Sequence, residues 1–334
     1  MAYRPPYDLT FELRELLKEV IRLIGRIEGF QLLAGNVQLR RKNQIKSLHS
    51  SLAIEGNTLS ESQVTAILEG KPVLGPARDI LEVQNALRVY DRLPTVDAYS
   101  EDELLDVHAT LMAGLVPDAG RYRNSGVGVL DGQRVVRVAP PAKRVPSLMG
   151  DLFSYLTDYR EDIIIKSCVF HYEFEFIHPF SDGNGRMGRL WQTAILKSEY
   201  PDLAAIPLES MVYARQQAYY NALQQCQQAG NSNPFIQFAL QALRDTLLQQ
   251  LENATYLPSD PPARLAAFRE AIKTPSFTRK DYLNFHKKIS PATATRDLNY
   301  GVIQHILERE GNLRTSRYRF VDRPLLLTTC GSSF

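Results

Sequence analysis

Residues 178–189 read His-Pro-Phe-Ser-Asp-Gly-Asn-Gly-Arg-Met-Gly-Arg, and we take this stretch as decisive for the fold and the site. Within twelve positions it places an imidazole, a carboxylate, a Gly-Asn-Gly turn and two guanidinium groups. Glycines on both sides of an asparagine let the backbone adopt positive φ and turn its N–H groups toward an anion. A helix predicted from Arg186 to Glu199 would aim its N-terminal amides at the same point. The stretch therefore predicts a phosphate-binding loop at a helix start.

The side chains of this loop suit nucleotide chemistry. Arg186 and Arg189 are three residues apart, so they share a helix face and both can reach phosphate oxygens. Asp182 is the kind of hard oxygen ligand that binds Mg2+ beside substrate phosphates. His178 is the candidate base, because histidine exchanges protons near neutral pH. The alternative is an ordinary loop, with arginines on a solvated face and a histidine that caps a turn.

The stretch is similar, at every defined position, to the signature of the Fic family, His-x-Phe-x-[Asp/Glu]-Gly-Asn-Gly-Arg-x-x-Arg. Fic proteins mostly transfer AMP from ATP to a hydroxyl side chain (Ser, Thr or Tyr) of a target protein. The resemblance implies a helical bundle with ATP as substrate and Mg2+ as cofactor. The implied roles are catalytic base (His178), ligand of Mg2+ (Asp182), anion hole for the α- and β-phosphates (Gly183, Asn184, Gly185) and ligands of the β- and γ-phosphates (Arg186, Arg189).

Composition places the chain among ordinary globular proteins. It has 334 residues, 44% hydrophobic and 23% charged, with a net charge of +2. That length suggests two or three domains. Three widely spaced cysteines, Cys168, Cys226 and Cys330, argue against a zinc ribbon or a disulfide framework and fit a reducing compartment. We see no apolar leader behind basic residues and no run of membrane-spanning length, so we expect a cytoplasmic protein with no membrane partner.

Helical periodicity dominates the first two-thirds of the chain and predicts a mainly α fold. A serine–glutamate capping box at Ser100 and a proline at Pro146 mark helix starts. A stretch that is apolar nearly all round predicts a buried central helix that leads into His178. The helices predicted by residue number cover 11–27, 163–177, 209–229 and 234–253.

One strand-like segment interrupts the helices. Residues 127–130 and 133–138 flank Asp131-Gly132, a strong signal for a two-residue hairpin turn. One reading is a lid without a partner. The Fic resemblance, supported by Gly-Arg-Tyr-Arg at 120–123, implies instead a flap over Val127–Val138 that pairs with a target protein as an added strand. Its site residues would be Val127, Gly128 and Val129.

The segment 51–57, Ser-Leu-Ala-Ile-Glu-Gly-Asn, is the second motif. It ends a predicted helix that begins near Asn43, with Gly56 or Asn57 as the left-handed terminator. Glu55 then lies at a helix C-terminus, where the dipole disfavours a carboxylate and a cation is needed. It could equally be solvated or pair with a lysine. The Fic resemblance implies an inhibitory motif in which Glu55 pairs with Arg189 and Ser51 helps to hold Glu55.

The C-terminal part predicts a separate module. Residues 258–262, Pro-Ser-Asp-Pro-Pro, indicate a linker. Helices predicted over 264–272, 278–287 and 290–309, with Gly311-Asn312 ending the third, precede an alternating segment, 314–321. This order is typical of a winged helix-turn-helix. Residues 279–323 hold ten Lys/Arg and five Asp/Glu, a net of +5. DNA binding through 275–323 and a protein-interaction role both stay open.

The predicted domains are 1–99, with the inhibitory helix, 100–257, the catalytic domain, and 258–334, the winged module. Tyr220 is a candidate for the adenine pocket by resemblance, whereas His171 is interpreted as a core histidine. The sequence has neither a P-loop nor His-Glu-x-x-His. We expect an autoinhibited protein adenylyltransferase that also modifies itself. The alternatives are a nucleotide-sensing DNA-binding regulator and a de-AMPylase, and association of copies stays open.

Overall fold

Helices build the first part of the chain. In the computed structural model, the described residues are 4–29, 37–131, 134–158, 160–255, 260–272, 276–286, 289–311 and 316–321. They fall into two units, Met1–Gln250 and Leu251–Phe334. The predicted mainly α fold is confirmed, and a small sheet lies in each unit. No helix among the described residues is both long and apolar enough to cross a membrane.

Among the described residues, five α-helices precede the hairpin. Ser100 accepts a hydrogen bond from the Glu103 amide at a helix start, which is one of the two bonds of the predicted capping box. Ser60 forms a reciprocal capping box with Gln63 at another start. The helices are α1 (Phe11–Gly29), α2 (Val37–Ile54), α3 (Glu61–Leu68), α4 (Ala77–Arg92) and α5 (Glu101–Leu111).

The hairpin consists of β1 (Gly128–Asp131) and β2 (Arg134–Val138), paired antiparallel. Asp131 pairs with Arg134, so the connection is 132–133 and not Asp131-Gly132 as predicted. Gly132 and Gln133 themselves lie outside the described residues. Pairing shifts between Val129 and Leu130, an irregularity that turn chemistry alone does not predict.

The centre of the first unit is a pair of helices that brackets the loop at 178–183. α6 (Val145–Asp158) packs beside α7 (Ile163–Ile177), whose residues are buried on nearly every side, as its all-round apolar pattern predicts. α8 (Asn184–Glu199) begins two residues before the predicted Arg186. Gly183 adopts φ 84° as its N-cap, so the turn is complete one residue after Asp182.

The predicted helix over 209–229 is wrong as a single element. It forms α9 (Leu208–Ala214) and α10 (Gln216–Ala229), which are separated at Arg215 with φ −124° and ψ 34°. Arg215 pairs with Asp245 at 2.6 Å. The break therefore coincides with a tertiary contact, where the sequence has no glycine or proline to mark it. α11 (Asn233–Thr255) follows.

Apart from the end of α11, the described part of the second unit combines three helices with a three-stranded antiparallel sheet of order β3-β5-β4. Its core joins aromatic and aliphatic residues from the helices and the sheet, among them Leu265, Phe268, Phe277, Tyr282 and Leu298. The elements are α12 (Pro261–Ala271), β3 (Phe277–Thr278), α13 (Arg279–Phe285), α14 (Pro291–Ile303), β4 (Leu307–Glu310) and β5 (Arg317–Phe320).

Three predictions in this unit need correction. The third helix ends at Ile303, and 307–310 is a strand, because Leu307 packs into the core and pairs with Phe320. Pro261 begins α12, where proline is tolerated at a first turn, so it does not belong to a linker. Gly311 ends β4 and not a helix. Pro258, Ser259, Lys287, Asn312, Arg314 and Thr315 lie outside the described residues, and the winged-helix assignment stays a prediction.

Candidate active site

His178 terminates α7 in the left-handed conformation, with φ 51° and ψ 62°. Arg123 fixes this backbone, since its Nε donates to His178 O at 2.7 Å and its Nη2 to Ile177 O at 3.2 Å and Pro140 O at 2.6 Å. Carbonyls at a helix end lack intrahelical partners, so a buried guanidinium is an effective cap. Burial lowers the pKa of Arg123. The sequence indicated Arg123 only as a flank of the hairpin.

Glu175 lies next to the candidate base. Its Oε2 is 3.9 Å from His178 Nδ1, and its Oε1 is 4.0 Å from His171 Nε2. A Cβ at Gly188 would lie 2.8 Å from Glu175 Oε1 and 3.1 Å from His171 Cδ2, so the glycine leaves room for these two side chains where α7 and α8 approach. Sequence reasoning missed Glu175, although its position one turn before His178 was a usable signal.

The loop itself is held by its own asparagine. Asn184 is 2% exposed, accepts from Phe180 N at 2.9 Å and donates to Phe180 O at 3.0 Å. A Cβ at Gly183 would lie 2.8 Å from Met112 Sδ. These contacts shape the turn before any ligand arrives, and the start of α8 directs its partial positive charge into the loop. The Asn184 side chain therefore holds the backbone of the predicted anion hole through its two hydrogen bonds to Phe180.

His108 supports the loop from α5. Its ring stacks on Phe180 with centroids 3.6 Å apart. Gly120 N donates to Nδ1 at 2.9 Å, so Nε2 carries the proton and donates to Asp182 O at 3.0 Å. Burial lowers the pKa of His108 to about 4, which keeps the ring neutral. Sequence reasoning missed this residue.

Asp182 is the candidate metal ligand. Its side chain is 40% exposed. Oδ1 accepts from Gly183 N at 2.6 Å and Arg186 Nη2 at 3.1 Å, while Oδ2 accepts from Arg78 Nη2 at 3.3 Å. The described residues contain no cluster of three or more metal-ligating side chains. Mg2+ in phosphate sites needs only one or two carboxylates beside the phosphates, so a half-exposed Asp182 fits that ion.

Arg186 and Arg189 are buried, at 5% and 3% exposure, so they do not form a solvated face. Arg186 Nη1 lies 3.4 Å from Glu82 Oε1, in addition to its bond to Asp182. A buried guanidinium needs a carboxylate or phosphate partner to offset its desolvation. Both arginines therefore have carboxylate partners within the chain itself.

Glu55 is the partner of Arg189. Its Oε1 accepts from Arg189 Nη2 at 2.8 Å. α2 ends at Ile54, and Gly56 takes the left-handed conformation with φ 90°, so Gly56 and not Asn57 terminates the helix. Burial lowers the pKa of Arg189, but the charge and hydrogen bond of Glu55, together with the charges of Tyr219 and Glu175, more than offset this, so the net shift is upward. The pair joins the predicted inhibitory motif to the loop.

Ser51 contacts the arginine of this pair. Arg189 Nη2 donates to Ser51 O at 2.9 Å and its Nε to Ser51 Oγ at 3.4 Å. We expected Ser51 to hold Glu55. The observed contacts hold the ion pair from the Arg189 side, because Ser51 lies one helical turn before Glu55 on the same face of α2.

His171 is buried, as a core histidine should be. Its Nδ1 donates to Gln192 Oε1 at 2.7 Å, and its Nε2 accepts from Tyr219 Oη at 3.0 Å. Burial lowers the pKa of His171 to about 3. Tyr220 is 44% exposed, and Gln216 Nε2 donates to both its Oη at 3.4 Å and Ile54 O at 3.0 Å. Tyr220 thus borders the end of α2.

The hairpin residues of the predicted site are described through their backbone. Val127 O accepts from Ala139 N at 3.2 Å, and Gly128 and Val129 pair with Val138 and Arg137. The side chains of residues 128–138 lie outside the described part of the chain. The structure therefore places a two-stranded sheet between α5 and α6 in the chain order and leaves its target contacts as a prediction.

The sequence and the structure of the chain are similar to those of known proteins. The model of the Fic/DOC family matches residues 98–196. A Fic family protein from Desulfovibrio desulfuricans G20 is 40% identical, with a TM-score of 0.75, over 96% of this chain and 99% of that protein. The chain belongs to the Fic family. The fold also resembles Fic-1 (aa134 - 508) of Caenorhabditis elegans, at 24% identity and a TM-score of 0.58 over 72% of each chain.

Curated Fic relatives are longer than this chain. The Protein adenylyltransferase Fic of Nematostella vectensis is 29% identical over 264 residues, which cover 74% of this chain and 59% of that relative. The Protein adenylyltransferase fic-1 of Caenorhabditis elegans is 28% identical over 67% of this chain and 44% of its own length. The chain thus spans about half the length of these relatives.

Proposed function

We propose that this Fic protein is an autoinhibited protein adenylyltransferase, which transfers AMP from ATP to a hydroxyl side chain of a target protein or of itself. The observation that carries the proposal is the convergence of one half-exposed carboxylate, Asp182, two buried arginines and the start of α8 on one loop beside His178. The naming of relatives as protein adenylyltransferases supports it.

The proposed reaction is an in-line displacement at the α-phosphorus. The hydroxyl oxygen of the target attacks phosphorus, the bond to the β-phosphate oxygen breaks and pyrophosphate leaves. His178 takes the hydroxyl proton, with its backbone held by Arg123. Arg186, Arg189 and the α8 N-terminus neutralise phosphate charge. Asp182 would hold Mg2+, which when bound polarises the phosphates.

The Glu55–Arg189 ion pair supports autoinhibition. While Glu55 occupies Arg189 at 2.8 Å, a γ-phosphate has to compete for the same guanidinium. A nucleotide that loses that contact binds with its α-phosphate poorly aligned, and misalignment is costly in rate. Glu55 belongs to the same chain as the loop, so no second subunit is needed for this inhibition.

The hairpin is the proposed docking site for the target. Within the described residues, β1 and β2 form a sheet of two strands, so each strand retains an edge outside this pairing. A target segment that adds to such an edge gains backbone hydrogen bonds and presents its side chains alternately. Target docking over Val127–Val138 would bring a hydroxyl to the loop.

A DNA-binding role for the second unit is a further candidate. Arg296 and Asn299 are exposed and one turn apart on α14, which places both on the same helix face. Arginine and asparagine are the side chains that most often read guanine and adenine. The net charge of +5 over 279–323 supports binding to phosphates.

Labelled ATP tests the central proposal. The chain and its Glu55→Gly variant are incubated with ATP labelled at the α-phosphate and Mg2+, and protein-bound label is followed by mass spectrometry. Label on protein supports the adenylyltransferase. Tight nucleotide binding without label supports a nucleotide-sensing regulator, and release of AMP from a modified target supports a de-AMPylase.

A further inference from the structure

Glu82 brings a carboxylate to the phosphate site from outside the segment that matches the family model. It lies on α4, before residues 98–196, and is 8% exposed. Its Oε1 is 3.4 Å from Arg186 Nη1 and 3.5 Å from Arg78 Nε. A buried carboxylate needs partners of this kind to offset its desolvation. The N-terminal helices therefore contribute directly to the site.

Two carboxylates determine where Arg186 points. Asp182 Oδ1 holds its Nη2 at 3.1 Å, and Glu82 Oε1 lies near its Nη1. The Nε atom is buried and has no hydrogen-bond partner among the described residues. Asp182 is also the proposed ligand of Mg2+. Mg2+ on Asp182 would offset part of the negative charge that attracts the Arg186 guanidinium, so Glu82 would become the main carboxylate partner of Arg186 in the metal-loaded site.

Glu82 also contacts the turn that carries Glu55. Its Oε2 accepts from Asn57 Nδ2 at 2.9 Å. Asn57 N in turn donates to Leu52 O at 3.1 Å, across the end of α2. Loss of the Glu82 carboxylate would therefore disturb two things with opposite effects on activity, the orientation of Arg186 and the position of Glu55.

We propose that Glu82 is a positioning residue of the phosphate site, which keeps the Arg186 guanidinium aimed at the nucleotide while Asp182 holds the metal. The inference rests on the proposed function. It goes beyond that function because it assigns part of the phosphate site to α4. The Glu82–Arg186 contact matters most when Mg2+ is bound, because without the metal Asp182 alone can orient Arg186.

The test uses the full chain with Glu55→Gly, which removes the inhibitory glutamate and hence the second effect. ATP dissociation constants are measured by calorimetry with Mg2+ and with EDTA, for this parent and for Glu82→Ala, Arg186→Ala and the double variant. Glu82→Ala should raise the dissociation constant about tenfold with Mg2+ and clearly less with EDTA, on the scale of a charged hydrogen bond. The double variant should match Arg186→Ala.

Two further variants separate positioning from folding. Glu82→Gln keeps an oxygen for Arg186 and Asn57, so its affinity should lie between those of the parent and Glu82→Ala. Asp91 is an exposed acid on the same helix, and its Oδ1 accepts from Gln44 Nε2 at 2.9 Å. Asp91→Ala should leave ATP affinity unchanged. Melting temperatures of all variants show whether each chain is folded.

The outcomes are distinct. Three results would overturn the inference. The first is an unchanged ATP affinity in Glu82→Ala, and the second is a loss of affinity that is the same with and without Mg2+. The third is that Glu82→Ala lowers affinity as much in the Arg186→Ala variant as in the parent. If the Glu55→Gly parent binds ATP but transfers no AMP, the proposed function fails while calorimetry still decides the role of Glu82. A parent that does not bind ATP overturns both.

Discussion

Arg189 has to serve two anions in turn. In the structure its partner is Glu55, and in the proposed reaction its partner is a phosphate of ATP. Glu55→Gly should therefore raise AMP transfer, including self-modification, by about tenfold or more, the scale of a lost charged hydrogen bond of about 1.5–3 kcal/mol. The measurement is the rate of self-modification with labelled ATP.

Three further variants serve as controls for the self-modification rate of Glu55→Gly. Arg189→Ala removes a phosphate ligand as well as the ion pair, so it should not activate, and the double variant should stay slow. Glu69→Gly serves as the matched control, since Glu69 is exposed and pairs with Lys71 on the surface. Equal rates for wild type and Glu55→Gly would mean that the match at 51–57 is accidental.

His178 carries the second prediction at this scale. A hydroxyl group needs a base to attack phosphorus efficiently near neutral pH. His178→Ala in the Glu55→Gly background should abolish detectable AMP transfer while the ATP dissociation constant changes less than about threefold, because phosphate binding rests on charge that remains. His49→Ala, on the partly exposed ring that packs near Tyr213, is the control. Transfer at the parental rate would contradict the assignment.

At the scale of elements, α5 stabilises the loop through His108. Both ring nitrogens are satisfied by Gly120 N and Asp182 O only when the ring is neutral. Burial lowers its pKa to about 4, against about 6.5 in an unfolded chain. The contribution to stability is therefore fully present above pH 6.5 and is lost as the pH falls toward 4. Each pH unit well inside that window should cost about 1.4 kcal/mol of unfolding free energy.

Urea unfolding at pH 7, 6 and 5 measures this slope. His171, with a pKa lowered to about 3, contributes a second slope of the same sign and remains in the variant. His108→Gln should be less stable than wild type at pH 7, and its stability should fall less steeply than that of wild type between pH 6 and 5. An unchanged slope would show that His108 is not held neutral by the fold.

For the whole molecule, the prediction concerns how the DNA affinity of the second unit depends on salt concentration. If α14 binds DNA, the association constant of the full chain should fall steeply with salt, because phosphate contacts release counterions. Arg296→Ala should weaken binding and reduce the preference for guanine at one position, because Arg296 is the proposed reader of that base. Lys18→Ala on α1 removes the same charge elsewhere and should change neither. No DNA retention at low salt would favour a protein-interaction module.

Periodicity and motif chemistry determined much of this chain. All-round apolarity predicted the buried α7, and strand-like segments on either side of Asp131-Gly132 predicted the hairpin but not its connection. The 178–189 signature named the residues of the loop. These features are local, because each depends on residues within one or two turns of each other. For the same reason, the pattern at 51–57 indicated that Glu55 needs a cation.

What only the tertiary structure decided is which distant groups meet. Nothing in local spacing indicates that Glu82 lies near Arg186, that His108 supports Asp182 O or that Arg123 caps α7. The break at Arg215 and the strand at 307–310 likewise depend on contacts with other elements. Buried charges and polar groups pair with the groups that the packed helices bring close to them, so these partners can be identified only from the packed structure.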